Sequence, residues 1–489
     1  MDFVPQHSSA FRVRRFLNWF PLGLAYAFLY MGRYNLTVAK GALGDLMTKA
    51  DFGDIFGVGA IVYGFAFVVN GPLTDRVGGR LAMLIGMLGS IVMNVAMGVV
   101  LYGITMWGWK LPIASVFIPL YAGNMYFQSF GAVAIVTTKA PWFHVRERGT
   151  FSTIFGVMIS LGIYFAFDWG GAIAQATRSK LDADLGPLAA FYSAITGTGN
   201  AGVDQNWHLF FAPAAILTVL WVILLLFLRN TPGEAGHDDF DTGEEHLMAE
   251  EPEHRPASVG AYIGWSVQRT LRVFKLALTH PVLLVVCGIE FCSGVLRNGI
   301  MHWYPFFMGE TGQKAFFIRA NWGLMLLICG IAGSFLTGWA SDRFFQSRRA
   351  PMAGVLYGVM FVSTLAMAFT LTSDPWIPGL AALAISAAVI GVHGILSGTS
   401  TADFGGSKNA GTVTGLVDGL VYLGTGFQAV ALGHITPKAE LAGDPANWGA
   451  WPLFLVPFAI VGTVLALRIW NAAPRKKAAP ALAEAPAES

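Results

Sequence analysis

Apolar stretches of about twenty residues recur twelve times along the chain, at 16–42, 53–74, 81–107, 111–138, 150–175, 207–229, 281–307, 317–340, 351–373, 376–398, 410–434 and 448–470. Each is long enough to cross the ~30 Å hydrocarbon core of a bilayer as a helix. In that medium every backbone donor and acceptor must be satisfied, and a run of this length does so within itself only as a helix. Charged residues make up 12% of the chain, against roughly a quarter in soluble domains. The expected fold class is therefore an all-α membrane protein with twelve transmembrane helices.

The lysines and arginines are unevenly placed. If the runs alternate across the bilayer, 21 fall on the side of the N-terminus and 8 on the other, which predicts that both termini are cytoplasmic. The two left over, Arg33 and Arg297, sit inside apolar runs. Arg12, Arg14 and Arg15 precede the first run as they would in a signal peptide, but no small-residue cleavage site follows and the run is long enough to span, so a retained first helix is expected. Cys287, Cys292 and Cys329 all lie in apolar runs and suggest neither a disulfide framework nor a zinc site. The break from 230 to 275 is acidic and then basic, and reads as a solvated linker between an N-terminal six-helix bundle (1–229) and a C-terminal one (276–472). Residues 178–206 read as an exposed loop. Residues 473–489, rich in Ala and Pro, read as a disordered cytoplasmic tail.

An internal repeat relates the bundles. Gly71-Pro-Leu-Thr-Asp75-Arg76-Val-Gly-Gly-Arg80 follows the second run, and Gly338-Trp-Ala-Ser-Asp342-Arg343 follows the eighth. The two aspartates are 267 residues apart, 75 to 342, and the two buried arginines 264 apart, 33 to 297. Two separate features with nearly one period predict pseudo-symmetric halves, as in carriers that rock one half against the other around a midplane site. The Gly-x-x-x-Asp-Arg-x-Gly-Gly-Arg loop resembles the signature of the major facilitator superfamily. That resemblance implies the major facilitator fold and a gating role for Asp75, Arg76, Arg80, Asp342, Arg343, Glu147 and Arg148, which would latch the cytoplasmic ends of neighbouring helices.

Inside the first run, Tyr26, Tyr30 and Arg33 are four and three apart and share one helical face. An arginine near the middle of a membrane helix costs roughly 2.5 to 3.5 kcal/mol on the insertion scale, so an anion or a carboxylate should meet it. Snorkelling to the headgroups is the alternative. The matching Arg297 favours the first reading, because the planar guanidinium grips phosphate or carboxylate with two parallel hydrogen bonds. Glu290, seven residues before Arg297, is expected either to pair with Arg297 or Arg33 or to accept a proton, and Asp418 presents the same choice. His302 and His393 stand alone in apolar context and read as structural histidines. No metal-ligand spacing, nucleophile–base pair or phosphate-binding glycine loop is present, so neither an enzyme nor a cofactor is expected, nor any nucleic-acid partner.

Tyr-Met-Gly-Arg33-Tyr-Asn, Tyr63-Gly-Phe leading into Asp75-Arg76, Trp142 with Arg146-Glu147-Arg148-Gly149, and Leu296-Arg297-Asn-Gly-Ile-Met-His-Trp303-Tyr-Pro305 together resemble the organophosphate:phosphate antiporter family. Ala402-Asp403-Phe-Gly-Gly with Asn409, Thr412, Thr414 and Asp418-Gly419 is more similar to its sugar-phosphate exchanger branch. The resemblance implies that Arg33 and Arg297 hold a phosphoryl group and that Tyr26, Tyr30 and Tyr63 line the path. It also implies a monomeric carrier, in the plasma (inner) membrane, exchanging a glycerol phosphate, sugar phosphate or phosphoglycerate for inorganic phosphate by alternating access. Two positions depart from the family pattern: Phe67 stands where a glycerol-phosphate member has lysine, and Ile159 where it has histidine. The alternatives are a proton-coupled organic-anion symporter with Glu290 or Asp418 as proton carrier, and a sugar-phosphate sensor on the same fold that moves nothing.

Overall fold

The computed structural model describes residues 7–144, 147–181, 185–199, 201–242, 281–345, 349–396 and 410–471, with scattered positions between 258 and 279. Among the described residues every regular element is a helix. The apolar runs become α1 (Ser9–Leu43), α2 (Lys49–Val77), α3 (Gly79–Trp107), α4 (Ile113–Lys139), α5 (Arg148–Tyr164), α6 (His208–Phe227), α7 (Pro281–Met301), α8 (Trp322–Phe345), α9 (Arg349–Thr370), α10 (Trp376–Ile395), α11 (Ala410–Ile435) and α12 (Ala450–Arg468). Ten candidate spans are apolar and long enough to cross a membrane. The other two, α1 and α4, are 35 and 27 residues long. Their mean hydropathy is diluted by buried polar side chains such as Arg33, Asn35, Asn124 and Gln128, which face the centre of the molecule.

Local chemistry sets the helix ends. Ser8 caps α1, its hydroxyl accepting the Phe11 N–H at 3.2 Å. Thr48 and Asp51 form a reciprocal capping box at the start of α2. Between α2 and α3 the chain reverses at Gly78, whose φ of 84° favours glycine. The next residue, Gly79, packs so closely that an added Cβ would collide with the Thr138 hydroxyl. Both glycines of the repeated loop therefore have steric reasons to be there. After Tyr164, α5 widens into a π-turn over Phe165–Trp169 before continuing as Gly170–Ala176; Asp168 lies in that turn.

Helices before and after the linker meet along two seams. In the first, α2 lies against α11, with Gly53, Gly57 and Gly64 facing Gly419, Gly426 and Gly433. The glycines on α11 are seven apart, a spacing that keeps them on one face of a gently supercoiled pair. An apolar solvent supplies no hydrophobic drive between helices, so close backbone approach through small residues is what brings them together. In the second, the Asp168 carboxylate accepts the N–H groups of Gly323 at 2.8 Å and Leu324 at 3.0 Å, at the start of α8. An ion pair between Lys49 and Glu310, a polar contact between Asp54 and His434 at 3.2 Å, and the Lys49 ammonium over the Trp448 ring at 4.7 Å join the same face, opposite to the one where α1 begins. That face is sealed.

Asp168 joins the two sets of helices with a charged acceptor on two helix N-terminal donors, so its loss should loosen the seal by about 1–3 kcal/mol. In Asp168→Ala, a cysteine placed at the buried Ala60 is expected to react with an impermeant maleimide several-fold faster than in the parent; an unchanged rate would show that the seal does not rest on this contact.

Two expectations need correcting. Residues 178–206 are not simply a loop, because they contain the helix Pro187–Thr196. Its Ala189 packs on Ala172 and Ala176, while Phe191 and Ile195 stay more than 60% exposed, as on a helix lying at a membrane interface. The first dozen residues of the acidic linker are not freely solvated: His237 and Phe240 pack edge-on against Phe11. Residues 243–257 and the tail at 473–489 lie outside the described residues.

Candidate functional site

Arg33 is fully buried where α1 meets α2, α4 and α11. Its Nε donates to Gln128 Oε1 at 3.0 Å, Nη1 to the Tyr422 hydroxyl at 2.7 Å and Nη2 to the Tyr63 hydroxyl at 3.1 Å. The rings of Tyr30 and Tyr63 lie 4.7 and 4.5 Å from its carbon. An arginine has five N–H donors, so two remain for a ligand. All three protein acceptors are neutral, and among the described residues no carboxylate pairs with Arg33. Its positive charge is left for something else to balance.

A polar ladder fixes this arginine from behind. The Tyr121 hydroxyl donates to the Arg33 carbonyl at 2.8 Å. The Asn124 amide donates to the Gly32 carbonyl at 3.0 Å, and Gln128 donates to Ser90 at 3.2 Å and to Asn124 at 3.1 Å. Ser90 in turn donates to Asn124 at 2.7 Å, and Asn35 to Asn94 at 2.9 Å. Buried polar groups stay ordered when each finds partners, and a satisfied network rigidifies its members. Here that rigidity presets the guanidinium.

Arg297 reaches the same centre from α7. It is half-buried, lies within Coulombic range of Arg33, Tyr30, Tyr34 and Tyr422, and hydrogen-bonds to no group among the described residues. The two cations, one from each side of the linker, thus share the phenols of Tyr30, Tyr34 and Tyr422 as Coulombic neighbours. Tyr26 packs edge-on against Tyr30 at 5.4 Å, and Tyr63 lies 4.1 Å from the Tyr422 ring and 4.9 Å from Phe67. Phe67 thus contributes a wall rather than a charge. Tyr422, Gln128, Tyr34 and Tyr121 were not singled out from the sequence. A polar or phenolic residue deep in an apolar run was the available signal for each.

Glu290 does not pair with an arginine as expected. Fully buried, it meets His393 instead, Oε2 to Nδ1 at 3.2 Å, and its Oε1 has no partner among the described residues. The expectation for His393 as a lone structural histidine is corrected by the same contact. Burial forces a carboxylate onto the nearest donor, and α10 presents one where α7 has none. Asp418 is half-buried and within Coulombic range of His393. His302 bridges the halves through Thr37, 2.8 Å from Nδ1, among the rings of Tyr34, Phe52 and Phe56; its Nε2 is buried with no partner among the described residues.

Of the gating residues, Arg80 donates to the Leu225 carbonyl at 2.8 Å, tying the start of α3 to the end of α6. Glu147 pairs with Arg15 at 3.0 Å. Asp342 and Arg343 are exposed. The side chains of Asp75, Arg76 and Arg148 lie outside the described residues.

The family model of the Major Facilitator Superfamily matches residues 22–429. The chain belongs to the major facilitator superfamily. Within the superfamily it is similar to a glycerol-3-phosphate transporter of Bacillus subtilis, 26% identical over 96% of this chain and 95% of the relative. It is 25% identical to a probable hexose phosphate transport protein of Chlamydia pneumoniae, over 96% of this chain and 94% of that one. The membrane sensor protein UhpC of Salmonella typhimurium is 23% identical over 84% of this chain and 83% of its own length. These relatives agree with the resemblance to organophosphate:phosphate antiporters. Among solved structures, a bacterial homolog of the human lysosomal transporter Spinster superposes with a TM-score of 0.68 at 16% identity, covering 95% of this chain and 99% of that one. The xylose transporter XylE from E. coli superposes with 0.62 at 13% identity, over 94% and 97% of the two chains. These structures share the major facilitator fold.

Proposed function

We propose that this superfamily member is a secondary carrier that exchanges an organic phosphate for inorganic phosphate by alternating access, in the plasma (inner) membrane with both termini cytoplasmic. The observation that carries the reading is Arg33, preset by neutral partners with two donors to spare, facing an Arg297 that no described group binds. A phosphate ester brings −1.5 to −2 charges near neutral pH, which suits two permanent cations in a poorly polarisable medium. Relatives named for glycerol 3-phosphate and hexose phosphate transport support the same substrate class.

With the site empty, the two like charges repel and resist closure; a bound dianion draws them together, and the halves rock only when loaded. A carrier that returns only loaded must exchange. In the proposed orientation the sealed face is the outer one. Reconstituted protein should take up labelled glycerol phosphate into vesicles preloaded with inorganic phosphate, and equal uptake into empty vesicles would exclude obligatory exchange. The similarity to UhpC favours one second reading, a sensor. Saturable ligand binding with no flux into loaded or empty vesicles would select it.

A further inference from the structure

The site as described has a charge imbalance. Before the linker, Arg33 is the charged side chain that the described residues place at the centre, and Phe67 and Ile159 are apolar positions on α2 and α5. After the linker, Arg297 adds a second positive charge, but Glu290 on the same helix subtracts one. Two guanidiniums and that carboxylate leave at most a net +1, and Asp418, half-buried within Coulombic range of His393, lowers it further, while a phosphate ester above neutral pH is close to a dianion.

His393 is placed to restore the balance. Its Nδ1 is held by Glu290, which is 0% exposed, whereas the imidazole itself is 33% exposed. The carboxylate thus lies behind the ring, and the ring opens toward accessible space within Coulombic range of Arg297. Glu290 Oε1 is a buried acceptor with no donor among the described residues, so a proton gained by the pair neutralises a charge that burial otherwise penalises. The other groups facing the pair are Arg297 and Cys287 from α7, Asp418 from α11 and Tyr357 from α9, whose hydroxyl donates to the Ile289 carbonyl. From α8, Thr337 faces the neighbouring Gly391.

We infer that the Glu290–His393 pair is a proton-accepting element of the phosphoryl site, so that binding a dianionic phosphate ester is accompanied by uptake of one proton onto the pair. The bond formed is N–H or O–H on the pair, the proton comes from solvent, and the ester stays intact. The filled site then holds two guanidiniums, a neutral carboxylate–imidazole pair and a dianion, with Asp418 beside the pair. This rests on the anion-binding reading above and adds to it a named proton acceptor.

The test is calorimetry on the full-length protein in nanodiscs with glycerol phosphate as the probe, at pH 8, in two buffers of different ionisation enthalpy. The second pKa of such an ester is about 6, so at pH 8 it brings almost no proton of its own and any proton taken up belongs to the protein. The expected result is close to one proton per bound ester, with affinity falling about tenfold per pH unit in this range. In His393→Gln, and separately in Glu290→Gln, the count should fall to near zero and the affinity should become flat with pH. A wild-type count near zero overturns the inference without reference to any variant, so the result stands even if one variant misfolds. A wild-type count near one that persists in a folded variant overturns it as well, placing the acceptor elsewhere. Failure of the wild type to bind either glycerol phosphate or inorganic phosphate would instead refute the anion-binding reading on which it depends.

Discussion

Arg33→Lys should lower the affinity for glycerol phosphate at least about 100-fold, although the formal charge is unchanged. The guanidinium is held at three separate atoms by Gln128, Tyr422 and Tyr63, and this arrangement aims its remaining two N–H groups. A lysine ammonium is a compact point charge with three donors and no plane. It cannot satisfy the three protein acceptors and still offer a forked pair to a ligand. Hydrogen bonds involving a charged group contribute about 1.5–3 kcal/mol each, and a net loss of two corresponds to about 3–6 kcal/mol, or two to four orders of magnitude in Kd. Gln128→Leu, which releases the Nε contact together with the Gln128 bonds to Ser90 and Asn124 and leaves the Arg33 charge in place, should cost about tenfold, and it separates aiming from charge. Ligand-induced shifts in Tm measure both variants, since a bound ligand stabilises by the logarithm of its saturation. Binding by Arg33→Lys within threefold of wild type would remove Arg33 from the site.

The second large effect is expected at the α2–α11 seam. A Cβ added at Gly53 would lie 2.5 Å from the Ala429 carbonyl oxygen and 2.9 Å from the Gly433 Cα. Both are backbone atoms that no rotamer change can move, so Gly53→Val forces the two helices apart. Overpacking of this kind costs about 1–3 kcal/mol, and here the whole penalty falls on the conformation in which this face is sealed. Exchange should drop more than tenfold, and the cysteine at position 60 should become readily labelled. Folding should survive, because the clash lies between helices from opposite sides of the linker. Gly41, with nothing within 4 Å of an added Cβ, is the control: Gly41→Ala should leave transport unchanged. Normal exchange by Gly53→Val would mean that the seam is not part of the cycle.

Particular residues show why some features could be read from the chain and others could not. The twelve spans were readable because hydrocarbon imposes length and apolarity on each segment separately. Arg33 and Arg297 were readable because a cation in such a segment is costly wherever it sits, and the repeat related the two. Glu290 misled the reading: its two-turn spacing from Arg297 on one helix suggested a partner, yet the donor it found was His393, 103 residues away. Asp168 gave no warning either, since its role depends on a π-turn that aims it at the first amides of α8. Tyr422 looked like one more aromatic in an apolar run until α11 was laid against α2.

By itself the sequence determined an all-helical membrane chain of related halves with a buried arginine in each. Apolar length, charge and a repeat near 264 residues are written along one dimension. Only the tertiary structure decided which groups orient Arg33, which residue Glu290 meets, and which face of the molecule is sealed. Those are pairings between helices far apart in sequence, and they are selected by steric fit between glycine faces and by the cost of leaving buried polar groups without partners.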